Sequence, residues 1–557
     1  MCKKPCRILV VVLLLAASYD LGLGQSQSDY ALIRQPVFTN PLIWKLTRSV
    51  TNQYWNIDLF LYPRSSAQSF VMDPGYYLYS AVSFTLDKAW NRIIYIEALD
   101  DWIREYSSYG QGTCQVWWPR NLDAVVPCNE QYTSYYYYVY VADTHNDRIM
   151  RFRYNWPNQF VECNTPITGG GLQWPADLDL NDGGSHWSVV EDNYLWVVNA
   201  PNGSPHQIKR FTVDGVLKST FGEFGCDSVP GHFCKITAIA SGRSAFMPEP
   251  YTNNDHLYVA DAGNNRVVWL IKWHGAETVS WMKEIPASAG VVDLEVDYFG
   301  QVWVVDREAG TLTKYTYDLF PLCVFGSTGT GENQFIRPIS LSTPVGYLGN
   351  ANMFVVEDWT DSSGGQYFGI GTDVVDFSVS SCPEEHIHYI DFVLIDPSIV
   401  SIKVYNAQGG LVKSVFQGGL VSGNSVFVWD GTNESGIQQP TGDYRVEVVD
   451  TSAIGSVSTG EPINVVTKEA WVHHVYNCCN ADGIRGDVNN DCTAGCVTAA
   501  DLTFLVAFLF QGGPEPACLT EANADGVVGP GGPVDAADLT YLVAYLFQGG
   551  APPPPCP

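Results

Sequence analysis

Basic residues are scarce in this chain. Lys and Arg together number 30 among 557 residues, against 59 Asp and Glu, for a formal net charge of −29. Nucleic acids and anionic membranes bind to basic surfaces, so this balance argues against both as partners. Apolar residues make up 46% of the chain, which is too much for disorder throughout. At ~150 residues per domain, the length predicts three or four domains.

Long apolar runs are missing as well, since no segment approaches the ~18 apolar residues of a membrane span. The run at residues 8–17 follows Lys3, Lys4 and Arg7, and small and polar residues continue to Gln25. A basic start, a short apolar stretch and small residues after it are the parts of a secretory signal peptide. The sequence predicts a signal peptide over residues 1–24 and a secreted chain. An uncleaved anchor is the alternative.

The cysteine content fits export. Of 15 cysteines, Cys2 and Cys6 precede the apolar run, which leaves thirteen in the exported part. Cysteines of exported proteins are disulfide candidates. Cys114 with Cys128, and Cys226 with Cys234, are close enough in sequence to staple local loops. Because thirteen is odd, at least one of Cys163, Cys323 and Cys382 is predicted to be unpaired.

One pattern recurs between about residues 40 and 379: a short apolar strand, an acidic or amide residue, a polar turn and a second strand. Its two clearest copies are Tyr140-Val-Ala-Asp143-Thr-His-Asn146-Asp-Arg148 and Tyr258-Val-Ala-Asp261-Ala-Gly-Asn264-Asn-Arg266. Four weaker copies start at Ile93, Leu195, Val302 and Met353. A repeat of roughly 45 to 60 residues with several strands per copy is typical of propeller blades.

The two clear copies resemble the NHL repeat, in which a strand and Asp are followed by a turn, Asn-x-Arg and a second strand. The resemblance implies a six-bladed β-propeller over residues 25–382. It gives Asp143, Asn146, Arg148 and their counterparts Asp261, Asn264 and Arg266 a structural role, with the carboxylate capping the turn and pairing with the guanidinium. The alternative is that these charges line a ligand site.

Catalytic motifs are absent: there is no Gly-x-Ser-x-Gly elbow, Walker A motif, His-Glu-x-x-His or Rossmann fingerprint. A propeller with histidines on a central metal would resemble peptidyl-amidating lyases, but His145, His206 and His256 do not recur at equivalent blade positions. The sequence therefore predicts no catalytic residue. The remaining candidates lie at domain junctions and are predicted to be surface residues: His386, His388, His473 and His474.

Residues 383–470 have short alternating strands instead. Residues 402–409 are predicted to form a strand and a turn, and Val428-Trp429-Asp430-Gly431 and Gly442-Asp443-Tyr444 follow. This segment resembles the immunoglobulin-like domain of the flagellar hook-cap type. The resemblance places Trp429 in the core of a β-sandwich and implies a spacing or presentation role.

The last segment, residues 471–557, contains a duplication. Ala499-Ala-Asp501-Leu-Thr-Phe-Leu-Val-Ala-Phe-Leu-Phe-Gln-Gly-Gly513 returns almost unchanged from Ala536 to Gly550. Apolar residues at i, i+3, i+4 and i+7 predict two short amphipathic helices that bury their apolar sides on each other. Asp501 and Asp538 stand at the two helix starts.

Oxygen-bearing residues alternate before each helix, as a calcium loop requires. Calcium takes six to eight oxygen ligands, and alternate residues of a tight loop point to one centre. The sequence predicts two calcium ions. The first site comprises Asp487, Asn489, Asp491, Thr498 and Asp501, and the second comprises Glu521, Asn523, Asp525, Asp535 and Asp538.

This arrangement resembles a type I dockerin, a family that binds two calcium ions and docks on cohesin domains of a scaffold protein. Each loop has an insertion after its alternating ligands, around residues 492–496 and 528–533. The positions that usually read the partner are Ala499-Ala500 and Ala536-Ala537, which puts a polar cohesin contact in doubt.

The whole sequence thus predicts a mainly β protein with a six-bladed β-propeller, an immunoglobulin-like β-sandwich and a small α-helical paired calcium-loop module. The predicted role is binding without catalysis. The propeller presents a surface to a glycan or peptide, and the tail docks on a cohesin-like partner or on another copy, in the extracellular space or at the cell surface. The alternatives are a subunit of a surface fibre and a propeller enzyme of the lyase or lactonase type.

Overall fold

The fold is known from a computed structural model, which describes most of the chain after residue 42. The described residues are 43–51, 63–72, 79–88, 91–97, 102–125, 136–155, 160–181, 194–201, 205–242, 247–248, 250–251, 254–297, 299–329, 334–343, 352–357, 364–370, 372–382, 387–452, 465–474, 485–489, 497–516, 518–527 and 534–554. Across these stretches no helix has the length and apolarity needed to cross a membrane. The predicted signal peptide lies outside them.

Between residues 43 and 370, the described residues form mainly short strands. In chain order they are β1 (Ile43–Thr51), β2 (Pro63–Met72), β3 (Tyr79–Asp87), β4 (Arg92–Glu97), β5 (Trp102–Tyr106), β6 (Ser108–Tyr109), β7 (Gln115–Val116), β8 (Leu122–Val125), β9 (Tyr136–Asp143), β10 (Arg148–Asn155), β11 (Phe160–Ile167), β12 (Pro175–Asn181), β13 (Tyr194–Asn199), β14 (Gln207–Thr212), β15 (Leu217–Phe221), β16 (Glu223–Phe224), β17 (His232–Phe233), β18 (Ile236–Gly242), β19 (Asp255–Asp261), β20 (Arg266–Lys272), β21 (Ser280–Pro286), β22 (Val291–Val296), β23 (Val302–Asp306), β24 (Thr311–Tyr315), β25 (Pro321–Phe325), β26 (Pro338–Ser342), β27 (Asn352–Glu357) and β28 (Gly364–Ile370).

Most of these strands belong to six four-stranded antiparallel sheets, which we call blades 1 to 6. Blade 1 holds β2 to β5, blade 2 β8 to β11, blade 3 β12 to β15, blade 4 β18 to β21, blade 5 β22 to β25, and blade 6 β26 to β28 with β1. The first strands β2, β8, β12, β18, β22 and β26 contact one another in that order, and β26 contacts β2 again. The blades therefore form a closed ring around a central channel, and the predicted count of six is confirmed within the described residues.

The ring is closed by the start of the chain. Strand β1 is the outer strand of blade 6, where it pairs antiparallel with β28 from Ile43 opposite Ile370 to Thr51 opposite Gly364. A closed ring hides the strand edges that an open sheet would expose.

Apolar clusters fill the spaces between adjacent blades. Trp196, Ile208 and Phe233 belong to the cluster between blades 3 and 4, while Tyr258, Trp269 and Val302 belong to the cluster between blades 4 and 5. Strands such as β19 and β20 are buried along their whole length, because both faces of each blade pack on a neighbour.

Two connections between blades carry a disulfide and a short parallel ribbon. Strands β6 and β7 pair before blade 2, and β16 and β17 pair before blade 4. Cys226–Cys234 forms as predicted. The prediction for Cys114 was wrong: it pairs with Cys163 on β11, across a Cα separation of 5.4 Å, because blade 2 folds its outer strand back beside the loop. Cys323, one of the three cysteines among which at least one was predicted to be unpaired, is free and buried.

A β-sandwich follows the ring. One sheet has three strands, β29 (Val374–Cys382), β30 (Ile387–Leu394) and β33 (Gly423–Trp429), and the other has four, β31 (Ser398–Asn406), β32 (Leu411–Leu420), β34 (Gly442–Ser452) and β35 (Val465–His474). Trp429 is 1% exposed in the core between them, as predicted. The predicted boundary at residue 382 is wrong, because β29 pairs with β30 and so belongs to the sandwich.

The sandwich packs on blade 5. Val375, Val393 and Ile395 of the sandwich share one apolar cluster with Trp303 and Leu312. The described C-terminal part is helical, with α1 (Ala499–Gln511), α2 (Leu519–Ala522) and α3 (Ala536–Gln548).

Candidate metal centre and propeller channel

The first helix of the tail begins at a capping box. Thr498 is the N-cap of α1, and its hydroxyl accepts a hydrogen bond from the Ala500 N–H. The Asp501 carboxylate accepts the Thr498 N–H at 2.8 Å and the Asn489 N–H at 3.1 Å. One buried side chain therefore closes the helix start and holds the preceding loop against it.

The second helix repeats this geometry. Asp535 is the N-cap of α3, and the Asp538 carboxylate accepts the Asp535 N–H at 2.8 Å and the Asp525 N–H at 3.2 Å. Both helices end at a glycine with positive φ, Gly512 at 67° and Gly549 at 68°. The duplication in sequence is thus a duplication in structure, with equivalent carboxylates in equivalent contacts.

The two loops lie against each other. The Gly486 N–H donates to the Glu521 carbonyl at 2.7 Å, and Arg485 Nη1 donates to the Asn523 carbonyl at 3.1 Å. Val488, Leu505, Ala522 and Leu542 form a small core beneath them. Cys518, the N-cap of α2, is disulfide-bonded. Apolar contacts and these two hydrogen bonds hold the loops against each other.

The loops gather buried acidic side chains. Asp487, Asp501, Glu521 and Asp538 are each at most 3% exposed. Burial raises the pKa of Asp538, and the nearby carboxylates of Asp525 and Asp535 raise it further. A cation in this place would lower the repulsion among them.

One amide oxygen in the second loop is unsatisfied. Asn523 is 5% exposed, and its Oδ1 is buried without a hydrogen-bond partner. Buried polar atoms without a partner are uncommon, and a bound ion or water is a frequent explanation. An amide oxygen is also a ligand type that calcium prefers.

The structure brings the predicted ligand residues together in pairs. Among the described residues, no three His, Cys, Asp or Glu side chains form a group that could hold a metal ion. Asp491, predicted for the first site, lies outside the described residues. Thr498 and Asp535 act as helix caps. The main-chain N–H of each donates to the Asp three residues later, which also accepts an N–H from the preceding loop. The two calcium sites therefore stay a prediction.

The propeller motifs have the expected structural role. Asp143 Oδ2 accepts Arg148 Nε at 2.7 Å and Asn146 Nδ2 at 2.8 Å, while its Oδ1 accepts the Trp117 N–H. Asp261 binds Asn264, Arg266 and two main-chain N–H groups in the same way. These carboxylates are buried and fully engaged, so they do not line an open ligand site.

A third copy of the motif was missed in the sequence. Asp87 ends β3 and accepts Arg92 Nε at 3.3 Å, with the same five-residue separation. The predicted weak copy at Ile93 lies in β4, the third strand of blade 1, and is therefore misplaced by one strand. The signal was available, since Asp87 and Arg92 keep the spacing of Asp143 and Arg148.

Acidic residues on the first strands were also missed. Their carboxylates accept main-chain N–H groups of the next blade. Asp123 accepts Leu180 N at 2.7 Å, Asp177 accepts Ile239 N at 2.6 Å, Asp179 accepts Ser241 N at 2.7 Å, Asp293 accepts Leu341 N at 2.8 Å, and Glu295 accepts Thr343 N at 2.9 Å. Asp177-Leu-Asp179 and Asp293-Leu-Glu295 occur on equivalent strands, and this repetition could have revealed them.

The channel is an unusual place for so many carboxylates. Burial raises the pKa of Asp293 to about 7 and that of Asp177 well above its ordinary value. Burial also raises the pKa of Glu295, and the charges of Asp179 and Asp123 add to the effect. The negative charges of neighbouring channel carboxylates add to burial in raising the pKa values of Asp177 and Glu295.

The histidines are mostly structural. His256 is fully buried, and its Nδ1 accepts the Trp269 indole N–H at 3.0 Å. His206 Nδ1 accepts the Ile236 N–H. The surface prediction was wrong for His388 and His474, which lie in the sandwich core 2.9 Å apart between Nε2 and Nδ1. It was correct for His473, whose side chain is 60% exposed, while His386 lies outside the described residues.

Known proteins resemble this chain in two ways. Residues 392–453 match the FlgD Ig-like domain family. Solved structures with a similar fold include virginiamycin B lyase from Staphylococcus aureus, with 16% identity, a TM-score of 0.32, and coverage of 56% of this chain and 80% of that one. The PQQ-bound aldose sugar dehydrogenase from Streptomyces coelicolor has 11% identity, a TM-score of 0.35, and coverage of 58% and 97%.

A third similar structure is the calcium-binding protein regucalcin from Agrobacterium tumefaciens. It has 10% identity, a TM-score of 0.34, and coverage of 56% of this chain and 92% of that one. At such identities and scores these structures assign no activity. No curated protein matches the chain.

Proposed function

We propose that this chain is a secreted, modular binding protein. Its NHL-like propeller presents a ligand surface, its sandwich holds that surface at a distance, and its tail is a dockerin-like module that docks on a protein partner when calcium is bound. The observation that carries the proposal is the duplicated contact of Asp501 and Asp538, each joining a helix start to a loop with alternating oxygen ligands.

Calcium would be held by the side-chain oxygens of each loop together with the Asp that begins each helix. The ion supplies positive charge where buried carboxylates crowd, so its binding stabilises the folded tail. The unsatisfied Oδ1 of Asn523 supports the second site. The disulfides Cys114–Cys163 and Cys226–Cys234 support export, because such bonds persist in oxidising compartments.

The partner is proposed to be a cohesin-like domain or a second copy of the chain. The pseudo-symmetric helices α1 and α3 expose Phe510 at 64% and Phe547 at 66%, at equivalent positions. With Ala at the positions that usually read a cohesin, these aromatic rings offer an apolar contact instead.

Calorimetric titration of the full-length protein with calcium tests the proposal. Two ions should bind per chain, and Asp501→Ala or Asp538→Ala should each remove one. Asp443→Ala is the control, because its side chain is acidic and 66% exposed on the sandwich. No uptake at millimolar calcium, or unchanged binding in both helix-start variants, would refute the calcium module.

A second candidate is a propeller enzyme of the lyase or lactonase type. The channel carboxylates favour it, because a pKa of about 7 at Asp293 suits a general acid or base at neutral pH. Against it, each channel carboxylate already joins two blades through a main-chain N–H. Turnover of aliphatic lactones by the full chain, lost in Asp293→Asn while the far-ultraviolet spectrum stays unchanged, would establish this role.

A further inference from the structure

Aromatic side chains gather at one face of the propeller, on turns of blades 1 to 3. His145 lies at their centre, with ring centroids 5.3 Å from Trp117, 5.3 Å from Trp118 and 4.9 Å from Trp174. Tyr109 extends the group, 6.0 Å from Trp117. We call this set the aromatic platform: Tyr109, Trp117, Trp118, His145 and Trp174.

The platform lies at the surface. Trp118 is 49% exposed and Tyr109 is 61% exposed. Trp117, His145 and Trp174 are half-buried and support them. Large aromatic side chains grouped at a surface mark a binding site more often than single exposed ones do.

All members come to the same face for a topological reason. Trp118 lies four residues before β8, and Trp174 directly precedes β12; these are the first strands of blades 2 and 3. His145 lies in the turn between β9 and β10, the second and third strands of blade 2. In a four-stranded antiparallel blade, the approach to the first strand and the turn between the second and third are at the same end. That end is also a mouth of the central channel.

The tryptophan backbones are strained. Trp118 has φ of 50° and Trp174 has φ of 49°, in the left-handed region that bulky residues rarely adopt. The surroundings hold both conformations, since the Trp118 N–H donates to Asn91 Oδ1 and the Trp174 N–H to Asp147 Oδ1, each at 2.8 Å. Strain maintained at surface positions is typical of functional sites, because core packing does not require it.

The chemistry of the platform favours one ligand class. Its main-chain N–H groups are already used, because those of Trp117, Trp118 and Trp174 donate to side chains of blade turns. A peptide strand would need such groups for pairing. What remains is exposed aromatic surface, whose electron-rich ring faces attract the partly positive C–H groups of an apolar ligand face.

Sugar rings have that form, with an apolar C–H face and hydroxyl groups at the edge. Lys88 lies over one face of the Trp118 ring, with its Nζ 4.3 Å from the ring centre, so its ammonium is at the platform and can donate to a hydroxyl of a bound sugar. Arg120 is exposed next to the group. We propose that the aromatic platform binds a polysaccharide by stacking, which makes a glycan the ligand that the propeller displays in the proposed function.

Binding of the full-length protein to polysaccharides tests this. Depletion from solution by insoluble cellulose, chitin and xylan, and retardation in gels containing soluble β-glucan, galactomannan or alginate, are the measurements. At least one of these probes should retain the protein. Trp118→Ala and Trp174→Ala should each weaken retention about tenfold or more, as expected for an aromatic anchor of a binding surface.

Trp471→Ala is the matched control, because Trp471 is 60% exposed on the sandwich and far along the chain from the platform. It should bind as the native protein does, and retention should persist in EDTA. The proposal is overturned if no polysaccharide retains the protein, or if a peptide array binds it and the polysaccharides do not. It is also overturned if the platform variants bind normally, or if EDTA abolishes retention. The calcium titration is unaffected by any of these results, so the two proposals fail separately.

Discussion

A buried lysine joins the propeller to the sandwich, and its neighbours give the contact a pH dependence. Lys314 on β24 is 1% exposed, donates to Asp396 of the sandwich, and lies 3.5 Å from Asp297. Gln301 Nε2 also donates to the Ile395 carbonyl across the same contact. Burial lowers the pKa of Lys314, but the two carboxylates outweigh burial and raise it. The lysine therefore stays charged, and Asp396 is the group that titrates.

The size of the effect follows from Asp396. Burial raises the pKa of Asp396 from 3.8 to about 7, with Lys314 offsetting only part of the increase. When the sandwich is packed on blade 5, Asp396 binds its proton more tightly than when the contact is open. The stability of the contact therefore falls as pH rises from 3.8 to about 7. At ~1.4 kcal/mol per pKa unit, the full loss is about 4 kcal/mol. Roughly 2 kcal/mol of it falls between pH 5 and pH 7, on the order of 50-fold in opening.

Cys323 reports on this contact directly. It is a free thiol, 5% exposed, in the apolar cluster that contains Ile395. It lies on β25 directly opposite Lys314 of β24. Its labelling by 4,4′-dithiodipyridine, followed by mass spectrometry of the peptide, measures local opening. The substitution is Asp396→Asn, which keeps an oxygen for Lys314 and removes the titration. The ratio of native to variant labelling should rise about 50-fold from pH 5 to pH 7 and then level off.

Asp214→Asn is the control, since its side chain is 90% exposed and it should leave the ratio flat. Lys314→Met supplies a second test, because it leaves two buried carboxylates without a cation. It should lower the free energy of opening this contact at neutral pH by about 3 kcal/mol or more. A ratio that is independent of pH, or that falls as pH rises, would refute the assignment to Asp396.

Three further predictions concern other parts of the molecule. Arg148→Met should lower the free energy of unfolding of the propeller by about 3 kcal/mol or more, because Asp143 stays buried, whereas Arg153→Met at the more exposed pair with Glu162 should cost under ~1 kcal/mol in urea denaturation. Asn523→Leu should remove an oxygen ligand from the second calcium site, so calorimetry should show weaker binding of one calcium ion. Thr520 is half-buried and carries a hydroxyl, and Thr520→Val should leave the binding of both ions unchanged. Replacing Cys114 and Cys163 by Ser should speed trypsin cleavage after Arg120 and weaken platform binding, whereas the same change at Cys226 and Cys234 should leave binding intact.

The repeated parts of the fold were predictable, because repetition shows in sequence. Asp143 and Asp261 revealed two equivalent blades, since each is followed by Asn and Arg at fixed spacing. The duplicated helices were predictable for the same reason. Asp87 escaped notice because the strand before it lacks the Tyr-Val-Ala-Asp string, although the contact with Arg92 is the same.

Contacts between distant segments were not predictable. Lys314 and Asp396 are 82 residues apart, and nothing local to either marks a buried ion pair. Cys114 and Cys163 meet only because blade 2 brings its outer strand back to the loop. His388 is different, because it lies on the same side of β30 as the buried Ile390, Phe392 and Leu394. Strand periodicity could therefore have shown that it faces the core.

Many acidic residues of the chain have a structural role, which the net charge does not reveal. Asp143, Asp177, Asp293, Asp501 and Asp538 are all buried, and each accepts at least one main-chain N–H that joins neighbouring elements. A carboxylate suits this role because it has several acceptor positions and no proton to donate. Repeated blades and repeated loops need the same joint many times, so the sequence accumulates Asp. Burial raises the pKa of Asp293 to about 7, so a rise of pH through that value adds a negative charge at this joint.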